Sequence, residues 1–182
     1  MPKCWRSLPF LVLGFLVPSF AFARQSFENT AIVRTVELGG ALVHVTTAYT
    51  VKSLEAESSV YTVALGREQR LRTSWLEAKI KGQPKALRLE DLGYDEERYA
   101  VHACIKISSY KSSSELYLFG IGLSNPVDVD GTVSIVLETV ETHSTYPWPQ
   151  SAGQEEEQKL KYNTSLFVVS PYRTAVQRTK IK

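Results

Sequence analysis

Cysteine, histidine and long apolar runs are all scarce in this 182-residue chain. The cysteines are Cys4 and Cys104, too few for a disulfide-stapled scaffold, so a hydrophobic core has to hold the fold together. No Gly-x-Ser-x-Gly elbow and no phosphate loop occur. Gly120-Ile121-Gly122 lacks the later glycine of a dinucleotide fingerprint. The one strongly apolar run, Leu8 to Val17, falls short of the roughly 20 residues that favour a stable membrane span.

That run belongs to an N-terminal leader. Lys3 and Arg6 form a basic region before it, and Ala21-Phe22-Ala23 closes it with the small-x-small pattern that suits signal peptidase. Residues 1–23 therefore read as a signal peptide cut between Ala23 and Arg24, with an uncleaved signal anchor as the rival. Residues 24–182 read as one domain in the lumen of the secretory pathway or outside the cell. Of 21 Lys+Arg, losing Lys3 and Arg6 leaves 19 against 19 Asp+Glu, so no charge excess remains to attract nucleic acid or acidic lipid. Cys4 leaves with the leader, and Cys104 alone cannot form an internal disulfide.

What is abundant is period-two alternation. In ALVHVTTAYTV, residues Val43, Val45, Tyr49 and Val51 share an apolar face, while His44, Thr46 and Thr50 point the other way. SVYTVAL groups Tyr61, Val63 and Leu65. RYAVHACIKI groups Tyr99, Val101, Ala103, Ile105 and Ile107. ELYLFGIGL is apolar on both faces, as a central strand would be, and TVSIVLETVETH and SLFVVS add two more strands. Turn signals stand at Gly39-Gly40, Gly82-Gln83-Pro84, Asn125-Pro126 and Asp130-Gly131. REQRLRTSWLEAK reads as a short helix or turn running into a strand. Many short strands with little helix predict a mainly β fold, an antiparallel β-sandwich. SAGQEEEQK reads as a solvated loop.

Candidate chemistry is thin. Asn163-Thr164-Ser165 matches the N-glycosylation triplet behind a secretory leader, so Asn163 is an acceptor candidate. His102 and Cys104 share one strand face and could form a nucleophile pair or half a metal site. No third group has a recognisable spacing, so an ordinary polar face is the stronger reading. In ETVETHSTYPWPQ, Glu138 to Gln150, Glu141 and His143 share a face if the strand continues, which would suit acid–base work. The stronger reading is a polar strand end stopped by Pro147 and Pro149. Trp148, between those prolines, reads as a cap on its own sandwich, with a contact to another protein as the rival. The residues thus imply no cofactor, no metal and no catalytic group.

Three stretches in order, FENTAIVRTVEL (Phe27–Leu38), the Glu138–Pro149 stretch and SPYRTAVQRTKIK (Ser170–Lys182), together resemble the ribophorin I family. That resemblance implies a non-catalytic subunit of the oligosaccharyltransferase complex of the endoplasmic reticulum, which transfers a preassembled glycan from dolichol diphosphate to Asn-x-Ser/Thr in nascent proteins. It implies a type I membrane protein with β-rich lumenal domains. Its partners would be the other subunits, including the catalytic one, and the nascent polypeptide and translocon. Family members are much longer, so the resemblance also implies that this chain is a fragment or truncated product covering the first lumenal domain, without the C-terminal membrane helix. The alternative from the residues alone is a secreted β-sandwich binding module with no enzymatic role.

Overall fold

The computed structural model describes residues 26–94, 116–151, 153 and 157–182. Along these the chain runs β1 (Phe27–Gly39), β2 (Leu42–Ser53), β3 (Ser58–Gly66), α1 (Arg67–Arg72), β4 (Thr73–Ile80) and β5 (Arg88–Tyr94). It continues through β6 (Leu116–Val127), β7 (Thr132–Thr142), β8 (Thr145–Trp148), β9 (Lys159–Tyr162) and β10 (Gln177–Ile181). Five strands form a sheet in the order β10-β1-β2-β7-β4. Three form a second sheet, β3-β6-β5, and β8 and β9 make a separate ribbon. The mainly β expectation holds, with one amendment: β10 lies parallel to β1.

Alternation does what it predicts in β2, where Val43, Val45, Thr47, Tyr49 and Val51 are buried and His44 and Thr46 are exposed. β1 is subtler. A bulge between Asn29 and Ala31 lets in Thr30, whose hydroxyl donates to the Thr50 carbonyl at 3.0 Å. The buried series therefore changes parity, from Phe27 and Asn29 to Ile32, Arg34 and Val36.

The two sheets share one core. Ile32, Tyr49, Val51, Ala78, Ile135 and Leu137 from the larger sheet pack with Tyr61, Val63, Leu65, Phe119 and Ile121 from the smaller. The smaller sheet covers only part of the larger one's inner face. Beyond it, Val36, Val43 and Val45 form a second cluster closed by Tyr162, at the end of β9. The ribbon and the segment after it thus do what the short sheet cannot.

Two expectations need correction. SLFVVS is not a strand of either sheet: residues 165–170 carry no ladder, and Leu166 and Phe167 are exposed. Side chains satisfy its backbone instead. Thr179 Oγ1 donates to the Leu166 carbonyl at 2.9 Å, Gln177 Nε2 donates to the Val168 carbonyl at 3.1 Å, and the Val168 amide donates to Gln177 Oε1 at 3.0 Å. Asn125-Pro126 is no turn but extended chain inside β6, in a stretch where pairing with β3 skips from Val60↔Gly122 to Ser58↔Val127. A residue without an N–H is tolerated where the ladder is interrupted. REQRLRTSWLEAK is, as expected, a short helix running into a strand: α1 ends at Arg72 with none of its residues buried, and β4 begins at Thr73. The turns at Gly40 and Asp130 stand as expected, both at positive φ.

The buried tyrosines give the fold a pH dependence. Burial pushes the Tyr49 hydroxyl well above the usual tyrosine range, with a small opposing effect from Arg34. The unfolded chain titrates near the ordinary value of about 10. Above that pH the unfolded state holds fewer protons than the folded one, so stability falls as pH rises towards the folded value. The decline is about 1.4 kcal/mol per pH unit for this group. Tyr49→Phe is expected to remove about 1.4 kcal/mol of the fall in stability between about pH 9 and 11 in urea unfolding; an unchanged fall would contradict the assignment.

Candidate functional site

Where the inner face of the large sheet runs past the small one, it turns polar. Arg34 on β1 and Glu141 on β7 both point inward there, at 5% and 6% exposure. They line a cleft of about 410 Å³ together with Gln69 and Arg72 of α1, Asn163, and Phe167. α1 reaches this place because β3 ends at Gly66 and the chain must cross to β4, on the other sheet. Segment 163–169 reaches it because Tyr162 is anchored on the Val36–Val43–Val45 cluster.

The polar groups are fixed but incompletely matched. An Arg34 Nη2 proton goes to the Ser165 carbonyl, which ties the rim of the cleft to its floor. Among the described residues the buried Arg34 Nε–H has no acceptor. Ser144 Oγ donates to Glu141 Oε2 at 3.1 Å. Arg72 Nη2 donates to Glu68 Oε2 at 3.0 Å. The Tyr162 hydroxyl is pushed up chiefly by burial; Glu141 pushes the same way, while Thr164, Arg34 and Arg72 oppose. Two cations and two carboxylates therefore face one space. Such a site can hold a polar ligand of no net charge. Among the described residues no group of three His, Cys, Asp or Glu comes together as metal ligands.

The residues singled out from the sequence fall as follows. Asn163 is exposed on the rim of this cleft, one residue past β9. Ala23 and Arg24 lie outside the described residues, and so do His102 and Cys104. His44 is exposed on the outer face of β2. Glu141 and His143 do not share a face: β7 stops at Thr142, His143 turns out to solvent at φ 56°, and Ser144 is buried beneath it. The strand thus ends on a left-handed histidine four residues before Pro147, which itself sits in β8 opposite Leu160. Trp148 does not cap the sandwich either. It is 58% exposed on the ribbon, with Lys161 Nζ 5.2 Å from its ring centre.

His143 is therefore a conformational residue. Histidine and asparagine visit the left-handed region more readily than most side chains, and β-branched residues resist it. His143→Asn is expected to leave stability within about 0.5 kcal/mol, while His143→Val costs about 1–2 kcal/mol. Equal losses in thermal unfolding would show that the imidazole, not the backbone, matters.

A second group was missed entirely. Asn29, fully buried, accepts from the Tyr61 hydroxyl at 2.7 Å. It donates through Nδ2 to Ser170 Oγ at 2.8 Å and Thr174 Oγ1 at 3.1 Å. The Tyr172 ring stacks on Tyr61 at 5.0 Å and its hydroxyl accepts from the Thr62 amide. The FENT and SPYRT stretches thus meet in one buried cluster that fastens the C-terminal segment to β1. A lone buried-parity asparagine was the available signal, hidden by the bulge beside it.

Comparison with known proteins follows the same stretches. The sequence model of a family described as Ribophorin I matches residues 27–182. Over 173 residues, 94% of its length, the chain is 25% identical to dolichyl-diphosphooligosaccharide–protein glycosyltransferase subunit 1 of Caenorhabditis elegans, of which it covers 26%. Over 171 residues, again 94% of its length, it is 26% identical to the protein of the same name in Schizosaccharomyces pombe, of which it covers 34%. The chain therefore spans about a quarter to a third of the length of these curated relatives. Among solved structures, an M1 zinc metallopeptidase of Deinococcus radiodurans aligns with 65% of the chain and 21% of its own, at TM-score 0.39 and 15% identity. That likeness is too loose to assign a fold or an activity. With the family match running from Phe27 to the last residue, through Asn29, Arg34 and the SPYRT cluster, the chain belongs to the ribophorin I family.

Proposed function

We propose that this chain is the first lumenal domain of a non-catalytic oligosaccharyltransferase subunit, working in protein N-glycosylation on the lumenal side of the endoplasmic reticulum. The observation that carries the reading is the match of 94% of the chain to two relatives named as subunit 1 of that glycosyltransferase. The architecture supports it. Asn29, Tyr61 and Ser170 serve to fasten segments together. The transfer reaction belongs to another subunit of the complex, and this domain contributes surfaces. Trp148 and Leu160, both exposed on the β8–β9 ribbon, are the surfaces we assign to contact with neighbouring subunits or the incoming polypeptide.

In this reading residues 1–23 direct the chain to the lumen and are removed between Ala23 and Arg24. The full-length protein is held by a C-terminal transmembrane helix as a type I membrane protein. Asn163 then meets the transferase itself. Its Nδ2 bonds to the first sugar, the lipid diphosphate leaves, and the amide proton is released.

Affinity purification of the tagged full-length protein from detergent-solubilised membranes tests the assignment. The catalytic subunit is expected to co-purify, and N-terminal sequencing to begin at Arg24. Release of the full-length protein to the medium, free of other subunits, would favour a secreted binding module instead.

A further inference from the structure

The cleft beside Asn163 has a use that the subunit reading does not supply. We infer that the glycan on Asn163 folds back so that its first N-acetylglucosamine seats in the cleft, against Phe167 and over Arg34. The inference rests on the reading that the chain enters the lumen and that Asn163 is modified there.

Four observations converge. The acceptor asparagine is itself part of the cleft wall, so a sugar bonded to its Nδ2 starts at the cleft mouth. The cleft, at about 410 Å³, lies in the range of about 300–1,000 Å³ that holds small organic ligands, and a single hexosamine is a small member of that class. Its charged groups come as two cations, Arg34 and Arg72, and two carboxylates, Glu68 and Glu141. That balance suits a neutral ligand rich in hydroxyl and acetamido groups better than an anion or a cation. Phe167, 65% exposed on the same rim, offers a flat apolar surface to the C–H face of a pyranose ring.

Weak contacts suffice, because a covalently tethered sugar binds at a high effective concentration and loses little further freedom on docking.

The test uses the full-length protein from membranes, with high-mannose glycans retained. Mass spectrometry first reads occupancy at Asn163. Endoglycosidase H, which cuts after the first N-acetylglucosamine, is then applied to the folded and to the denatured protein. A docked sugar predicts cleavage of the folded form about tenfold slower. Phe167→Ala should speed that cleavage about two- to tenfold, the worth of one aromatic contact. Equal rates for folded and denatured protein, or no effect of Phe167→Ala, would overturn the docking while leaving the modification intact. An unmodified Asn163 would remove both.

Discussion

Asn29→Ala is expected to cost about 3 kcal/mol, close to the largest effect of any single polar substitution in this domain. Asn29 is fully buried and uses its side chain three times, towards Tyr61, Ser170 and Thr174. Removing it takes away the acceptor that the Tyr61 hydroxyl uses and the donor that Ser170 and Thr174 share, which costs about 1–3 kcal/mol, and opens a small void in a packed cluster. For a domain of this size that corresponds to a drop in Tm of roughly 6–12 °C. The damage should also be local. Thr174 and β10 pair with β1 on this side, so protease cleavage or hydrogen exchange should rise first in residues 163–182. Tyr61→Phe provides the control: with both partners gone, the double variant should be less destabilised than the sum of the singles by about 1 kcal/mol or more. Strict additivity, or a loss under about 1 kcal/mol for Asn29→Ala, would mean the network does not clamp the segment.

Ile135→Ala is the second large effect, at about 2–5 kcal/mol. Ile135 sits on β7, paired with Tyr49 on β2 and Ile80 on β4, and it is wholly shielded in the core that joins the two sheets. Its loss removes apolar burial and leaves a cavity that two hydrogen-bonded neighbours keep from collapsing. The contrast is Ile181→Ala on β10, more than half exposed, which should stay within about 0.5 kcal/mol. Urea unfolding of both variants decides it. Similar midpoints would mean that the inter-sheet core is not what carries stability.

These two residues also mark how far the sequence can be read. Ile135 lies in a strand with no bulge against β2, so it keeps the parity of Leu137, and that it is the buried parity is decided by the packing of the second sheet. Asn29 lies three residues before Ile32, with Thr30 inserted between them, and counting by twos across the bulge puts it on the wrong face. The same limit explains Glu141 and His143. They share a face only if the strand continues, and the backbone turns left-handed at His143 instead. SLFVVS has the composition of a strand, but strand formation needs a free edge in register. In its place the side chains of Thr179 and Gln177 satisfy the backbone.

The sequence by itself determined the mainly β class, the inner faces of β2 and β3, the turns at Gly40 and Asp130, and the family. All of these rest on local periodicity, on glycine's and aspartate's tolerance of positive φ, or on residues in linear order. Only the tertiary structure decided that Asn29 meets Ser170 and Thr174, that Arg34 and Glu141 face one cleft, and that Asn163 stands on its rim. Those partners lie more than a hundred residues apart, or on strands whose parity a single inserted residue reverses. Which side chains share a space is set by how far one sheet overlaps the other, and that overlap is a property of the packed molecule.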